Sequence, residues 1–398
     1  MPKVSKRADN VIASPIRKFL PLMLKAEQKG IKIFKTNVGD PDIMMPPILL
    51  QTIRKYSGKN LGYAPSPGIK EHTLAWVKYF SDLGIKLRPE NIIPTVGGAE
   101  AILLAMIAVA DINEEILVFE PLYTNYKGIA AMTNIKLVPV TLRVENNFAL
   151  PPENEIIKKI TKKTRAIVLI NPNNPTGTAW TKKELETLTR IANKYNLFII
   201  SDETYREIVF EGHPTSLLKF SKARDKVIVV DSVSKRFSCP GARIGCVVSY
   251  NKDLMWAILK FAMVRLSVPS LEQLGLIPLL RNSKPYTKKI TAEYKRRRNV
   301  VFEAFKKMPG VVCQQPQGAF YIIAKLPVKN AEDFVKFLLT KFRYKGKTIM
   351  VTPAEDFYVT KGLGKNEIRI AYVLNTQALK EAMITLRKGL EAYQKKSS

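Results

Sequence analysis

From about residue 92 to residue 266, short apolar runs rich in β-branched residues alternate with stretches of helical period, the pattern of a sheet carrying helices on its faces. The apolar runs predict strands over Ile92–Val96, Glu115–Phe119, Lys136–Thr141, Arg165–Ile170, Leu197–Ser201, Lys226–Val230 and Ile244–Ser249, which makes a seven-stranded, mostly parallel sheet. Thr181–Tyr195 predicts a helix. Thr181 caps its start, Glu184 stands three residues on as in a capping box, and Leu185, Leu188, Ile191 and Ala192 keep helical spacing. From Pro285 the texture changes to a long basic helix over Tyr286–Met308, short strands over Ala319–Lys325, Thr348–Thr352 and Glu367–Val373, and a closing helix over Gln377–Tyr393. The expected fold class is therefore α/β. Residues 37–284 form a large domain, and residues 1–36 together with 285–398 form a smaller α+β domain. No internal repeat or low-complexity segment interrupts this plan.

A chain of 398 residues exceeds the size at which one hydrophobic core keeps growing, which supports two lobes. A hydrophobic content of 46% leaves no compositional case for extensive disorder. Cys239, Cys246 and Cys313 stand in no paired metal-ligand spacing and form no disulfide framework, so a reducing compartment is expected. Arg17, Lys18 and Lys25 break up the apolar residues near the amino terminus before a signal-peptide core can form. The most apolar stretch, Ile92–Ala110, contains Glu100 and the Gly97-Gly98 pair where a membrane span needs unbroken apolar residues. The expectation is a cytoplasmic protein with no membrane partner.

The net charge of +30, from 64 basic and 34 acidic residues, raises the question of a polyanion partner. Most of these basic residues are scattered along helix faces, as in Lys158-Lys159, Lys182-Lys183 and Lys288-Lys289. Only Lys295-Arg296-Arg297-Arg298 is dense, and no nucleic-acid-binding motif accompanies it. A solvated basic surface that focuses anionic substrates is the preferred reading.

Ligands of open α/β sheets gather beyond the carboxyl ends of the strands, so the polar residues there carry the candidate chemistry. Gly97-Gly98-Ala99 opens a helix whose free amides and dipole favour a phosphate, although the pair alone reads equally as an ordinary strand-to-helix turn. The run Asn171 to Gly177 is a rigid polar turn that holds side chains still. Asp202 ends a buried strand, where a carboxylate needs a cation to offset its desolvation, and Tyr205 follows three residues later. Lys235 follows the apolar strand of Val227 to Val230, where burial lowers an amine's pKa and makes it a nucleophile. Ser232, Ser234 and Arg243 supply ligands for a phosphate beside it.

These segments resemble, in order and spacing, the fold-type I aminotransferases of the aspartate aminotransferase class. The resemblance covers Asn37 to Asp42, Tyr63 with Pro67-Gly68-Ile69, the Gly97-Gly98 turn, Asn171 to Gly177, Ser201 to Tyr205, Ser232 to Lys235, Gly241 to Gly245, Gly318 to Tyr321 and Ile368-Arg369-Ile370. It implies pyridoxal 5′-phosphate as cofactor, bound covalently by Lys235, which also moves the substrate proton. It further implies that Asp202 pairs with the cofactor's ring nitrogen and that Asn174 and Tyr205 bind its ring oxygen. The phosphate falls to Gly98, Ala99, Ser232, Ser234 and Arg243, with Tyr63 reaching the phosphate of a neighbouring subunit. Tyr123 stacks on the ring. Arg369 binds the substrate α-carboxylate, helped by the Gly39 backbone and Asn174.

What the resemblance implies is ping-pong transamination between an L-amino acid, with aspartate leading, and a 2-oxo acid, with 2-oxoglutarate leading, in a homodimer with shared active sites. Two positions depart from aspartate-specific relatives. Tyr123 stands where Trp is common, and Ala99 stands where some bacterial relatives carry a lysine for the distal carboxylate. Arg17, Arg206 and Arg265 are the other candidates for that role, and aromatic, alanine-type or other neutral amino acids are the alternative substrates. A lyase on the same scaffold also fits these motifs. A DNA-binding regulator fits less well, since the cofactor-lobe motifs begin by Gly39 and leave no room for a winged-helix domain. His72 and His213 stand outside the strand-end set and are read as non-catalytic; no metal is implied.

Overall fold

The computed structural model describes residues 2–11, 14–212 and 215–397. Thirteen strands occur among them: β1 (Lys32–Lys35), β2 (Ile92–Val96), β3 (Glu115–Glu120), β4 (Lys136–Thr141), β5 (Thr164–Ile170), β6 (Phe198–Asp202), β7 (Val227–Ser232), β8 (Ile244–Val248), β9 (Val312–Cys313), β10 (Tyr321–Lys325), β11 (Lys347–Met350), β12 (Thr352–Pro353) and β13 (Glu367–Ala371). The central sheet has seven strands in the order β2-β8-β7-β6-β5-β3-β4. All its pairings are parallel except those of β8, which runs antiparallel to β2 and β7.

The central strands are apolar on both faces because helices cover both. Leu117, Ile167, Ile199 and Val229 enter one apolar cluster, and their alternates Val118, Val168, Ile200 and Val230 enter another. The helix over Lys182–Lys194 starts with the expected reciprocal cap between Thr181 and Glu184. A third cluster joins Phe19, Met23 and Phe34 to residues from Ile290 through Leu390, and it also takes in Tyr205, Ile208 and Phe210. Beside it stand a four-stranded antiparallel sheet, β12-β13-β10-β9, and the parallel pair β1-β11.

Three features differ from the sequence-based expectation. The run Thr348–Thr352 is two strands rather than one, because the chain leaves β1 after Met350 and pairs with β13 from Thr352. Strand β1 was not expected at all, since Lys-Ile-Phe-Lys offers only two apolar residues between lysines. Strands β6 and β7 run on through Asp202 and Ser232, so these polar residues terminate the strands instead of following them.

The dense basic cluster is largely structural. Arg297 and Arg298 are buried in the helix Lys284–Lys306, Arg297 paired with Asp42 and Glu293 and Arg298 with Glu211, while Lys295 donates to the Phe210 carbonyl and Arg296 pairs with Glu293. No helix among the described residues is long and apolar enough to cross a membrane. The three cysteines are free.

His72 is completely buried in the helix Lys70–Asp82. Its Nδ1 lies 2.9 Å from the Gln273 carbonyl and its Nε2 accepts from the Trp76 indole at 3.0 Å, which fixes the neutral tautomer protonated on Nδ1. His213 lies outside the described residues. Burial pulls the His72 pKa down from 6.5 to about 4. In this interval the unfolded chain binds a proton that the folded chain refuses, so stability falls as pH drops from 6.5 toward 4, by about 3 kcal/mol in all. Denaturant titrations of wild type and His72→Asn across this range should show a steeper loss in the wild type; parallel curves would remove His72 as the source.

Candidate active site

The carboxyl ends of β5, β6 and β7, the start of the helix Gly97–Val109 and one face of β10 and β13 enclose a cleft of about 600 Å³. It gathers Gly39, Gly98, Ala99, Tyr123, Asn174, Asp202, Tyr205, Ser232, Ser234, Lys235, Arg243 and Arg369, twelve of the thirteen expected site residues. The exception is Tyr63, which is 84% exposed and outside the cleft of its own chain.

One end of the cleft is built for a compact anion. Gly97 has φ of 72°, and a Cβ there would sit 2.3 Å from Arg243 Nη2; a Cβ on Gly245 would sit 2.7 Å from the Gly97 carbonyl carbon. Glycine is thus required for helix start, arginine and β8 to approach so closely. The Ser232 and Ser234 hydroxyls lie 2.9 Å apart at the same place. Arg243 itself has a left-handed backbone (φ 50°), a costly conformation for arginine, and among the described residues its guanidinium donates to the carbonyls of Pro240 and Val96 and to no carboxylate. Helix amides, two hydroxyls and a cation without a carboxylate partner form a donor set suited to a phosphate.

Deeper in the cleft, the Asp202 carboxylate is buried, accepting from the Thr204 amide at 3.1 Å and from the Tyr126 hydroxyl at 3.4 Å. No lysine or arginine pairs with it among the described residues, and burial pushes its pKa up to about 6. Its neighbours are treated differently. Glu203 and Asp231 are equally buried but are both paired with Arg206, and Asp231 also with Arg236. The unpaired carboxylate therefore suits a cationic group of a bound ring.

Lys235, in the short helix after β7, donates to the Gly39 carbonyl at 2.7 Å. Desolvation lowers its pKa from 10.5 to about 8, against the pull of Asp40 and with help from Arg369 and Arg243. Arg369 on β13 is buried against the rings of Tyr321 and Phe357, at 4.5 and 4.9 Å from the ring centres. Its Nη1 donates to Asn174 Oδ1 at 3.0 Å and its Nη2 to the Asn37 carbonyl at 2.6 Å, while its Nε has no partner among the described residues. This buried cation has no carboxylate partner among them either, and burial lowers its pKa. Because Asn174 accepts through its oxygen, its amide NH2 is left to donate into the cleft.

Among the other cationic candidates, Arg206 is buried between Glu203 and Asp231, and Arg265 holds Glu100 and the Pro94 carbonyl, so both are structural. Arg17 is exposed at the cleft mouth and its guanidinium makes no ion pair among the described residues. The sequence reading missed Tyr126 and the backbone of Asn37, and it gave Tyr321 no role. Tyr126 stands in the first turn of the helix Asn125–Thr133, between Asn125 and Lys127, and only its contact with Asp202 distinguishes it; Tyr321 could have been singled out as an aromatic hydroxyl heading the apolar run Ile322-Ile323-Ala324.

Helix-covered parallel sheet, anion-binding helix start, strand-end amine and strand-end acid together define a transferase of the fold-type I architecture. The family model for aminotransferase class I and II matches residues 31–386, and this chain belongs to that family. It is 31% identical over 395 residues to an aspartate aminotransferase of Pyrococcus horikoshii, covering 98% of this chain and 97% of the relative. An aromatic-amino-acid aminotransferase of Thermococcus litoralis is 29% identical, with 98% of each chain covered. An alanine aminotransferase structure from Pyrococcus furiosus superposes with a TM-score of 0.89 at 30% identity, over 98% of this chain and 100% of that one. The protein is an aminotransferase.

The lowered amine pKa is directly measurable. In cofactor-free protein, acylation of Lys235 by an amine-directed reagent, followed by mass spectrometry, should reach half its maximal rate near pH 8; a midpoint near 10.5 would show that the amine is solvated.

Proposed function

We propose that this chain is a pyridoxal 5′-phosphate-dependent aminotransferase, acting by a ping-pong mechanism as a homodimer, with aspartate as the leading amino donor and 2-oxoglutarate as the leading acceptor. One observation carries the reading: a desolvated amine, a buried acid without a cation and a buried guanidinium without a carboxylate share one cleft. These are the partners required by an aldehyde, a basic ring nitrogen and a substrate carboxylate. The division at residues 36/37 and 284/285 into large and small domains, and a cytoplasmic location, belong to the same reading.

When bound, pyridoxal phosphate supplies an aldehyde for the amine and a ring that accepts the electron pair left at the substrate α-carbon. Asp202 keeps the ring nitrogen protonated, which its buried carboxylate does at a gain in stability. Asn174 and Tyr205 hold the ring oxygen, and Tyr123 covers the ring. Gly98, Ala99, Ser232, Ser234 and Arg243 hold the phosphate. Arg369, its fork set by Asn174 and Asn37, binds the α-carboxylate and so fixes which bond at the α-carbon faces Lys235. Lys235, its pKa lowered to about 8 by desolvation, takes that proton as general base and returns it as general acid. A pH near 8 populates both of its forms.

Support for the shared dimer comes from the outer surface beside the cleft. Tyr63 projects into solvent, Leu61, Val264 and Leu266 are exposed apolar residues, and Ser270 Oγ donates to the Gly62 carbonyl, tying the two loops together. A second copy laid on this face would bring its Tyr63 toward the open phosphate end.

The preference for a dicarboxylate rests on Arg17, the cation at the cleft mouth left without an acidic partner among the described residues. The neutral-substrate alternative rests on Ala99, behind which lies an apolar groove lined by Leu103, Ile129, Met132 and Leu137. A panel of amino donors decides between them: kcat/KM for aspartate should exceed that for alanine or phenylalanine, and a value about a hundredfold lower would establish the neutral reading. Arg17→Ala should lower kcat/KM for aspartate by about tenfold or more and leave alanine unchanged. For the cofactor itself, protein soaked in pyridoxal phosphate and reduced with borohydride should gain the cofactor's mass on Lys235, and Lys235→Ala should gain none. A colourless wild-type protein of unchanged mass would overturn the whole reading.

A further inference from the structure

Tyr321 heads β10 and is buried, and its hydroxyl and ring face different parts of the cleft. The hydroxyl lies 2.9 Å from the Tyr205 hydroxyl, with the two rings edge to face at 5.6 Å. The ring lies under the Arg369 guanidinium at 4.5 Å. Strand register explains the second contact: Arg369 on β13 stands opposite Ile323 on β10, which makes it the diagonal neighbour of Tyr321 on the same face. Gly39 completes the arrangement. A Cβ there would sit 1.9 Å from the Tyr321 oxygen, so only glycine admits this hydroxyl, and the Gly39 carbonyl accepts from Lys235.

We propose that Tyr321 is a positioning residue that serves both halves of the reaction centre, its hydroxyl aiming and polarising Tyr205 and its ring supporting Arg369. A phenol has one proton and two lone pairs. If Tyr205 gives its one proton to the cofactor's ring oxygen, it can only accept in its 2.9 Å contact with Tyr321, so the Tyr321 hydroxyl is the donor there. Donation by Tyr321 then strengthens donation by Tyr205, because hydrogen bonds in series polarise one another in a low-dielectric site. The ring acts separately: its electron-rich face attracts the guanidinium, which also lies 4.9 Å from the Phe357 ring centre, and so restricts the orientation in which the fork meets a carboxylate.

This inference rests on the cleft being a pyridoxal phosphate site, and the test separates the two. In loaded enzyme the absorption of the bound cofactor titrates with the proton shared between the Lys235 nitrogen and the ring oxygen. A weaker Tyr205 donor leaves more negative charge on that oxygen and holds the proton more tightly. Tyr321→Phe should therefore raise the titration midpoint by about half a unit to one unit, a roughly three- to tenfold change in the equilibrium, while the affinity for a non-reactive carboxylate such as maleate stays within about twofold. Tyr321→Leu, which also removes the ring, should weaken maleate by about tenfold. In a Tyr205→Phe background, Tyr321→Phe should no longer move the midpoint. Tyr321→Phe keeps the packing volume, and its thermal unfolding curve serves as the folding control. A midpoint unchanged in Tyr321→Phe, or shifted equally with and without Tyr205, overturns the role of the hydroxyl; undiminished maleate binding in Tyr321→Leu overturns that of the ring. Failure of the wild type to take up the chromophore would instead sink the cofactor reading.

Discussion

The organisation of the active site turns on one buried carboxylate. Asp202 closes β6 in the middle of the sheet, where its pKa rises from 3.8 to about 6, so holding it ionised at neutral pH costs about 3 kcal/mol. The adjacent residues show that this fold has ample means of neutralising such charges. Glu203 and Asp231 share Arg206, Asp231 takes Arg236 as well, and Ser216 and the Leu217 amide complete the shell of Glu203. Because side chains alternate along a strand, Glu203 lies behind the sheet end with these arginines while Asp202 faces the cleft without one. The imbalance is local and directional, and the ring cation of the proposed cofactor would relieve it.

The buried charge network behind the sheet also restrains the residues of the site. Asp231 accepts from Arg206, Arg236 and the Ser232 amide, so it ties the chain just before the phosphate-end serines to the chain just after Lys235. Arg206 in turn reaches the Tyr79 hydroxyl on the helix Lys70–Asp82. Removing one member would strand a charge in the interior, the costliest kind of lesion, so the members hold one another in place. Three residues facing the cleft thus have a sequence neighbour anchored behind them: Asp202 has Glu203, Ser232 has Asp231 and Lys235 has Arg236.

The parts of this design that were legible in the sequence are those that repeat along the chain or stand at a strand end. The seven strands of the sheet declared themselves through their β-branched runs, and Asp202, Lys235 and Arg369 through polarity abutting such runs. Contacts between distant segments were not legible. Lys32–Lys35 becomes a strand only because Lys347–Met350 lies alongside it, 314 residues away at Thr36 and Met350. The partnership of Tyr205 with Tyr321 spans 116 residues and leaves no periodic trace. Arg206 and Arg17 were indistinguishable as lone arginines; burial between two carboxylates consumed one and exposure at the cleft mouth left the other available.

The large positive charge takes on a narrower meaning once burial is known. The densest basic cluster is spent on Asp42, Glu293, Glu211 and backbone carbonyls, which leaves no continuous stripe there for a polyanion to follow. The cleft keeps Lys235, Arg243, Arg369 and Arg17 against Asp40 and Asp202, so it is itself positive. A positive cleft in a positive protein draws small anions from long range, and field lines concentrate where low-dielectric walls surround the charge. Every molecule proposed to enter it carries a carboxylate or a phosphate. In the proposed reading, charge over the whole surface serves capture while the buried Arg369, which has no acid partner among the described residues, decides orientation, and the two contributions separate by salt: screening weakens the first and leaves the second nearly intact.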